Sequence, residues 1–197
     1  MSDARCVTVA RTPRRLRRGE LHLALIVTAA RGSGERLERE IGDILYELDP
    51  RIEAVRPRGL PDTVLVYSSV EPLTLFKRLY HWPPAYAQRV VPAMLHLDFE
   101  PRSVASGVSA LLECVEEGEV RLHVDVRLSA EARRSVEHAV LEAVRARGLR
   151  LRRRARWELI VEGVYPEALI AALLPSGCVR VEEWWRRTTR VCAPIIP

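Results

Sequence analysis

The chain contains no asparagine, one glutamine (Gln88) and one lysine (Lys77). Without asparagine, any mechanism that needs that side chain is excluded. The loss of thermolabile amides fits a thermophilic host. All but one of the 31 basic residues are arginine, which adds a coding bias towards Arg. Cysteine is sparse as well: Cys6, Cys114, Cys178 and Cys192 lie 108, 64 and 14 positions apart. No Cys-x-x-Cys pair or zinc-ligand spacing results, so buried thiols are expected, with a disulfide the alternative in a thermophile. No apolar run reaches the roughly 18 residues of a membrane span, since His22 already interrupts the stretch Leu21–Val27. Residues 1–19 hold no signal-peptide core. The expectation is a soluble, cytoplasmic chain that uses no membrane.

What is present describes an ordinary globular protein. The 197 residues are 48% hydrophobic and 29% charged, enough for one large domain or two small ones. The net charge of +5 favours a polyanionic partner.

Periodicity sets the organisation. Leu21–Thr28 is apolar on both faces, as a central strand is. Leu37, Ile41, Ile44, Leu45 and Leu48 form one face of a helix that Asp49-Pro50 ends. Strands are expected at 52–56 and 64–68, a helix from Pro72 to about Tyr80, and a strand at 89–97. A helix near Ser103, buried through Val104, Val108, Leu111, Leu112 and Val115, then connects to a second set. That set has a strand at 120–128, a helix at 130–147 with Gly148 as its cap, strands at 149–154 and 157–164, a helix at 166–174 and a strand at 178–182. In the first of these strands Arg121, His123, Asp125 and Arg127 alternate outwards. Glu131 follows Glu35 by 96 positions and Pro166 follows Pro72 by 94. The expected fold class is therefore α/β (α+β), with two tandem ferredoxin-like βαββαβ units joined by a helix. The boundaries are a basic tail over 1–19, domains over 20–98 and 99–183, and a C-terminal tail over 184–197.

Candidate chemistry concentrates on arginine. Arg145, Arg147, Arg150, Arg152, Arg153, Arg154 and Arg156 fall within 12 residues with no acid among them. Guanidinium groups grip phosphate bidentately, and the run exceeds what protecting a strand edge requires. Arg14, Arg15, Arg17 and Arg18 form a basic arm. Trp184, Trp185, Arg186 and Arg187 combine aromatic planes with cations, a pairing suited either to unpaired bases or to docking on the fold. Gly32-Ser33-Gly34 offers N–H groups to an anion but lacks the P-loop Lys-Ser/Thr, so a plain strand-to-helix turn is expected. Glu35, Glu38, Glu40 and Asp43 read as the solvated side of a helix. The five histidines make no metal-binding pattern, and no Gly-x-Ser-x-Gly elbow exists. An acylphosphatase is excluded by the missing asparagine, and an RRM by the absence of exposed aromatics on the central strands. No catalytic residue, metal or cofactor is expected.

Four segments carry a family likeness: 25–32 (Leu-Ile-Val-Thr-Ala-Ala-Arg-Gly), 38–45 (Glu-Arg-Glu-Ile-Gly-Asp-Ile-Leu), 64–72 (Val-Leu-Val-Tyr-Ser-Ser-Val-Glu-Pro) and 89–92 (Arg-Val-Val-Pro). With the helix and second unit that follow, the chain over roughly 20–183 resembles the THUMP-domain tRNA-binding proteins, in the branch that assists tRNA cytidine acetylation. The resemblance implies a ferredoxin-like domain followed by a THUMP-like one, the pair holding tRNA by shape. It also implies a non-catalytic adaptor that presents tRNA to a separate N4-cytidine acetyltransferase, since the 14 residues after 183 are not expected to hold a catalytic domain. One departure is visible. Val126-Arg-Leu-Ser129 runs directly into the helix where family members often insert an Arg-rich segment, and the Arg145–Arg156 run is expected to compensate. Two other readings stay open: an interaction module that docks an acidic protein partner, and a small-molecule regulatory domain.

Overall fold

The computed structural model describes residues 16–116 and 118–185, with Trp185 as backbone only. They divide into two compact units, one built from 16–93 with 177–185 and the other from 94–176. Five helices and two sheets make the chain a mixed α/β protein among the described residues.

The first unit runs β1 (Arg17–Arg18), β2 (Leu21–Ala29), α1 (Gly34–Leu45), β3 (Glu53–Val55), β4 (Thr63–Ser68), α2 (Pro72–His81) and β5 (Ala87–Pro92). Every pairing is antiparallel. One side of β2 takes β4, which takes β3; the other takes β1 near its start and β5 along the rest. Strand β2 is apolar on both faces because it is paired on both edges and packed on both sides: Leu23–Val27 are fully buried. The spacing of Leu37, Ile41 and Leu45 buries one stripe of α1.

Distant backbone and side-chain groups set the ends of α1. Its N-cap, Ser33, makes no capping hydrogen bond. The Asp62 carboxylate instead accepts the N–H groups of Gly32 at 2.9 Å and Gly34 at 3.3 Å. A side chain at Gly34 has no room, because a Cβ there would lie 1.7 Å from the Pro61 carbonyl oxygen. After the helix, Asp49 is buried and accepts the Ser68 hydroxyl at 2.6 Å, the Ser69 N–H at 2.8 Å, the Ser69 hydroxyl at 3.0 Å and the Arg51 N–H at 3.0 Å. Burial alone would raise the Asp49 pKa, but the hydrogen bonds from Ser68, Ser69 and Arg51 outweigh it and bring it down to about 2. A depressed carboxylate pKa stabilises the fold above its unfolded value, and that contribution is lost as pH falls from about 4 through 2. The difference amounts to about 2.5 kcal/mol. Urea unfolding of wild type and Asp49→Asn should therefore show a gap at pH 7 that narrows by about 2 kcal/mol at pH 2. A gap independent of pH would remove the ionised Asp49 from this role.

The unit closes with Val181–Trp185, a short helix, where a strand over 178–182 is expected from the sequence. Only a bridge between Arg89 and Arg180 remains of that strand. The reason lies in spacing. Val181 and Trp184 are both buried, and a helical turn places residues three apart on one side.

The second unit runs β6 (Leu95–His96), α3 (Pro101–Leu112), β7 (Glu119–Arg127), α4 (Ala130–Ala146), β8 (Arg150–Leu151), β9 (Trp157–Val164) and β10 (Ala168–Pro175). The closing helix Val181–Trp185 is α5. The sheet order is β6-β10-β9-β7-β8, with β8 and β9 parallel to β7 and the remaining pairs antiparallel. One face carries Val120 and Val126 from β7, Leu159 and Val161 from β9, and Leu169, Ala171 and Leu173 from β10. They join Val104, Val108 and Leu112 of α3 and Val136, Val140 and Val144 of α4 in one core. Helix α3 is thus part of this core and not a connector between units.

This unit departs from the expected repeat at 166–174. Ala and Leu favour helix, and Pro166 reads as a helix start. The segment is nevertheless strand β10, held between β9 and β6 and buried at every residue. Tyr165, Pro166 and Glu167 reverse the chain so that Ala168 faces Val164. An apolar run buried on both faces loses its periodicity, so propensity misleads. The two described cysteines take the alternative reading: Cys114 and Cys178 are each engaged in a disulfide.

Candidate nucleic-acid interface

The arginine run occupies one edge of the second unit. Arg145 lies in the last turn of α4, and Arg147 follows as its C-cap. Gly148, at φ 68°, ends the helix; the Leu149 N–H then reaches back to the Val144 carbonyl at 3.1 Å. Cations at this end also meet the negative pole of the helix. The chain next pairs as β8 with the start of β7, the N–H groups of Arg150 and Arg152 bonding the carbonyls of Gly118 at 2.9 Å and Val120 at 3.0 Å. The expected strand over 149–154 is only two residues long, because Arg153 and Arg154 turn away from the edge. Alternation of Arg150, Arg152 and Arg154 on one strand face therefore does not exist.

Anchors on either side of the turn hold it outwards. Ala155 is buried and its carbonyl accepts the Ser176 hydroxyl at 2.6 Å, while the Ser176 N–H bonds the Arg156 carbonyl at 2.8 Å. All seven arginines are exposed. Glu119 lies 3.5 Å from Arg150 and 3.6 Å from Arg152. One carboxylate shared at such distances holds neither side chain firmly, and exposed pairs of this kind contribute about 0–1 kcal/mol. Arg156 lies 5.7 Å from the Trp157 ring centre. Arg145, Arg147, Arg153 and Arg154 have no acidic partner among the described residues. From Arg145 to Arg154 the edge can thus receive several phosphates by exchanging one weak carboxylate.

The other candidates separate. Arg17 and Arg18 form β1 in the first unit, where Arg18 pairs with Glu53 at 3.1 Å and lies 5.5 Å from the Tyr67 ring centre. His22, opposite Arg17, has its pKa lowered chiefly by burial. Arg14, Arg15, Arg186 and Arg187 lie outside the described residues, as does the Trp185 side chain. Trp184 is removed from the interface. It is 5% exposed, its Nε1–H donates to the Cys178 carbonyl at 2.6 Å, and its ring packs on Phe76 and Tyr80 with centres 5.5 and 5.3 Å away. A buried indole satisfied in this way has no face for a base. The Gly32-Ser33-Gly34 turn has already given two N–H groups to Asp62, which leaves no cradle for an anion.

The sheet face away from α3 and α4 also differs from expectation. Arg121, His123, Asp125 and Arg127 on β7 are expected to alternate outwards, and from sequence alone the strand near Trp157 exposes Glu158 and Glu162 on the same sheet face, making it one of mixed charge. Instead Glu158 and Glu162 are buried. The parallel register sets Arg121 opposite Glu158 and Asp125 opposite Glu162, and Arg127 binds both Asp125 at 2.8 Å and Glu162 at 2.7 Å. Burial alone would lower the Arg127 pKa; the Glu162 and Asp125 carboxylates reverse that and raise it. Among the described residues, no three His, Cys, Asp or Glu side chains converge as metal ligands do. No helix there is long and apolar enough to cross a membrane.

Comparison with known proteins places the fold. No family model matches the chain, and no curated protein does. Among solved structures it is similar to PH1313 from Pyrococcus horikoshii, with 15% identity, a TM-score of 0.55, and coverage of 79% of this chain and 56% of that one. It is also similar to TrmN from Thermus thermophilus, with 20% identity, a TM-score of 0.52, and coverage of 86% and 50%. This chain shares their fold. It spans about half the length of these solved proteins.

Proposed function

We propose that this chain is a tRNA-binding protein of THUMP type. In this reading it is a non-catalytic adaptor that presents tRNA to a separate modification enzyme, an N4-cytidine acetyltransferase. The observation that carries the reading is the arginine edge of the second unit: six exposed guanidinium groups between Arg145 and Arg154, held outwards by backbone anchors and engaged weakly, at Arg150 and Arg152, by the Glu119 carboxylate. Phosphates spaced along a nucleic-acid backbone are the ligand such a row suits. Arg147, Arg150, Arg152, Arg154 and Arg156 contact phosphates in this reading, and the basic residues before Leu21 add affinity without specificity. The first unit, with antiparallel strands ordered β5-β2-β4-β3 and two helices, is the ferredoxin-like domain. The second is the THUMP-like one. The fold is the one this chain shares with TrmN.

Reconstitution tests the adaptor role. An N4-cytidine acetyltransferase given tRNA and an acetyl donor should acetylate more tRNA when this chain is added, while the chain with donor and tRNA alone should leave the tRNA unmodified. Acetylation indifferent to the chain would contradict the partner, and modification by the chain alone would contradict the non-catalytic role.

A further inference from the structure

We propose that Trp82, in the first unit, is a stacking platform for an unpaired RNA base. The inference rests on the RNA-binding reading and adds to it a second site with different chemistry. Trp82 is 55% exposed, in a protein whose other described indole in this unit, Trp184, is buried. Its ring is backed by the Arg78 guanidinium, whose central carbon is 3.9 Å from the ring centre. At that distance the cation lies against one ring face and leaves the exposed area on the rest of the indole.

The backing group is itself fixed. Arg78 Nε donates to the Ile44 carbonyl at 3.3 Å, and its terminal nitrogen pairs with Glu47. The indole sits on the C-cap of α2, its backbone N–H bonded to the Arg78 carbonyl at 3.0 Å. Pro83 and Pro84 follow directly and restrict the backbone. Beyond them the loop is tied down again, since the Glu40 carboxylate accepts the N–H of Ala85 at 2.8 Å and of Tyr86 at 3.3 Å. His81 is exposed beside the indole, with ring centres 6.1 Å apart. A rigid, half-exposed indole loses little conformational freedom when a ligand covers it.

The surroundings point to a base as occupant. Every nucleobase has a π-face, and aromatic platforms backed by arginine are how single strands are held without sequence readout. Glu47 offsets the Arg78 charge, so this site supplies stacking and little net attraction for phosphate. Its salt dependence should therefore be small, unlike that of the arginine edge.

This difference supplies the test. Full-length wild type, Trp82→Ala and Trp82→Phe are titrated with a short oligoadenylate and with an RNA duplex of matched length, each at several salt concentrations. Trp82→Ala should bind the oligoadenylate about 5- to 100-fold more weakly with an unchanged salt slope, and bind the duplex as wild type does. Trp82→Phe should recover most of the loss. Ultraviolet cross-linking of wild type to oligoadenylate should map to residue 82, which locates the contact without any substitution. Oligoadenylate binding unchanged in Trp82→Ala, with an Arg150/Arg152/Arg154 triple-alanine variant weakened, would overturn this inference alone. Failure of wild type to bind any RNA would overturn the inference together with the reading it rests on. Loss of a protein partner on Trp82→Ala, with RNA affinity intact, would assign the patch to protein docking and overturn it as well.

Discussion

Replacing Arg127 by alanine should cost about 3–5 kcal/mol of stability, the largest loss expected from any single charged side chain among the described residues. The cost comes from what the truncation leaves behind. Arg127 bridges Asp125 and Glu162, and Glu162 is fully buried. Without the guanidinium, the Glu162 carboxylate lacks its cationic neighbour in a site water does not reach, where an ionised group is costly. The fold must then protonate Glu162, admit water or open. An exposed pair provides the control: Arg39, paired with Glu35 four residues earlier on α1, should cost less than about 0.5 kcal/mol when changed to alanine. Chemical denaturation of both variants checks the contrast. Similar small losses would mean that the buried pairing is not what holds this sheet face. A double variant, Arg127→Met with Glu162→Leu, should recover much of the stability, because an apolar pair of similar volume does not carry the desolvation cost.

The second large effect concerns binding. Changing Arg150, Arg152 and Arg154 together to alanine should weaken tRNA binding at least about tenfold at low salt and reduce the salt slope by about three. Each phosphate contact releases counterions, so the slope counts contacts whatever the sequence of the RNA. All three side chains are exposed on an edge whose backbone is anchored at Gly118, Val120 and Ser176, so the fold should survive their removal. Loss of affinity with an unchanged slope would mean that the variants act through structure and not through phosphate contacts. Arg14 and Arg15 are a useful comparison, since replacing them should lower affinity for every nucleic acid alike.

How far the sequence reveals this molecule depends on the range of the interactions involved. The first unit is readable because its signals are local: β2 is apolar throughout, and the buried residues of α1 recur every four positions. The arginine edge is visible as a dense run without acids, although only the structure shows that a two-residue strand and a turn present it. Strand β10 misleads because Ala168–Leu174 is apolar on both faces, which leaves no period, and its residues prefer helix by propensity. Its pairing partners, β9 and β6, decide the matter. Asp62 caps a turn 28 to 30 residues away, and Glu158 and Glu162 are buried because a parallel neighbour brings arginines opposite them. Such pairings leave no trace in a window of ten residues. Trp82 escapes notice for a different reason: a tryptophan at a helix end reads as core until its exposure and the arginine behind it are seen. Trp184, whose place near two arginines in sequence suggests a binding role, is the core indole instead.

The central claim is that the arginine edge is built for tRNA. The direct measurement is an electrophoretic mobility shift of the full chain with total tRNA, beside duplex DNA of matched length, from low to moderate salt. A preference for tRNA that survives moderate salt is the expected result. Equal binding to both, erased as salt rises, would contradict the claim and leave the +5 charge as a generic attraction for polyanions.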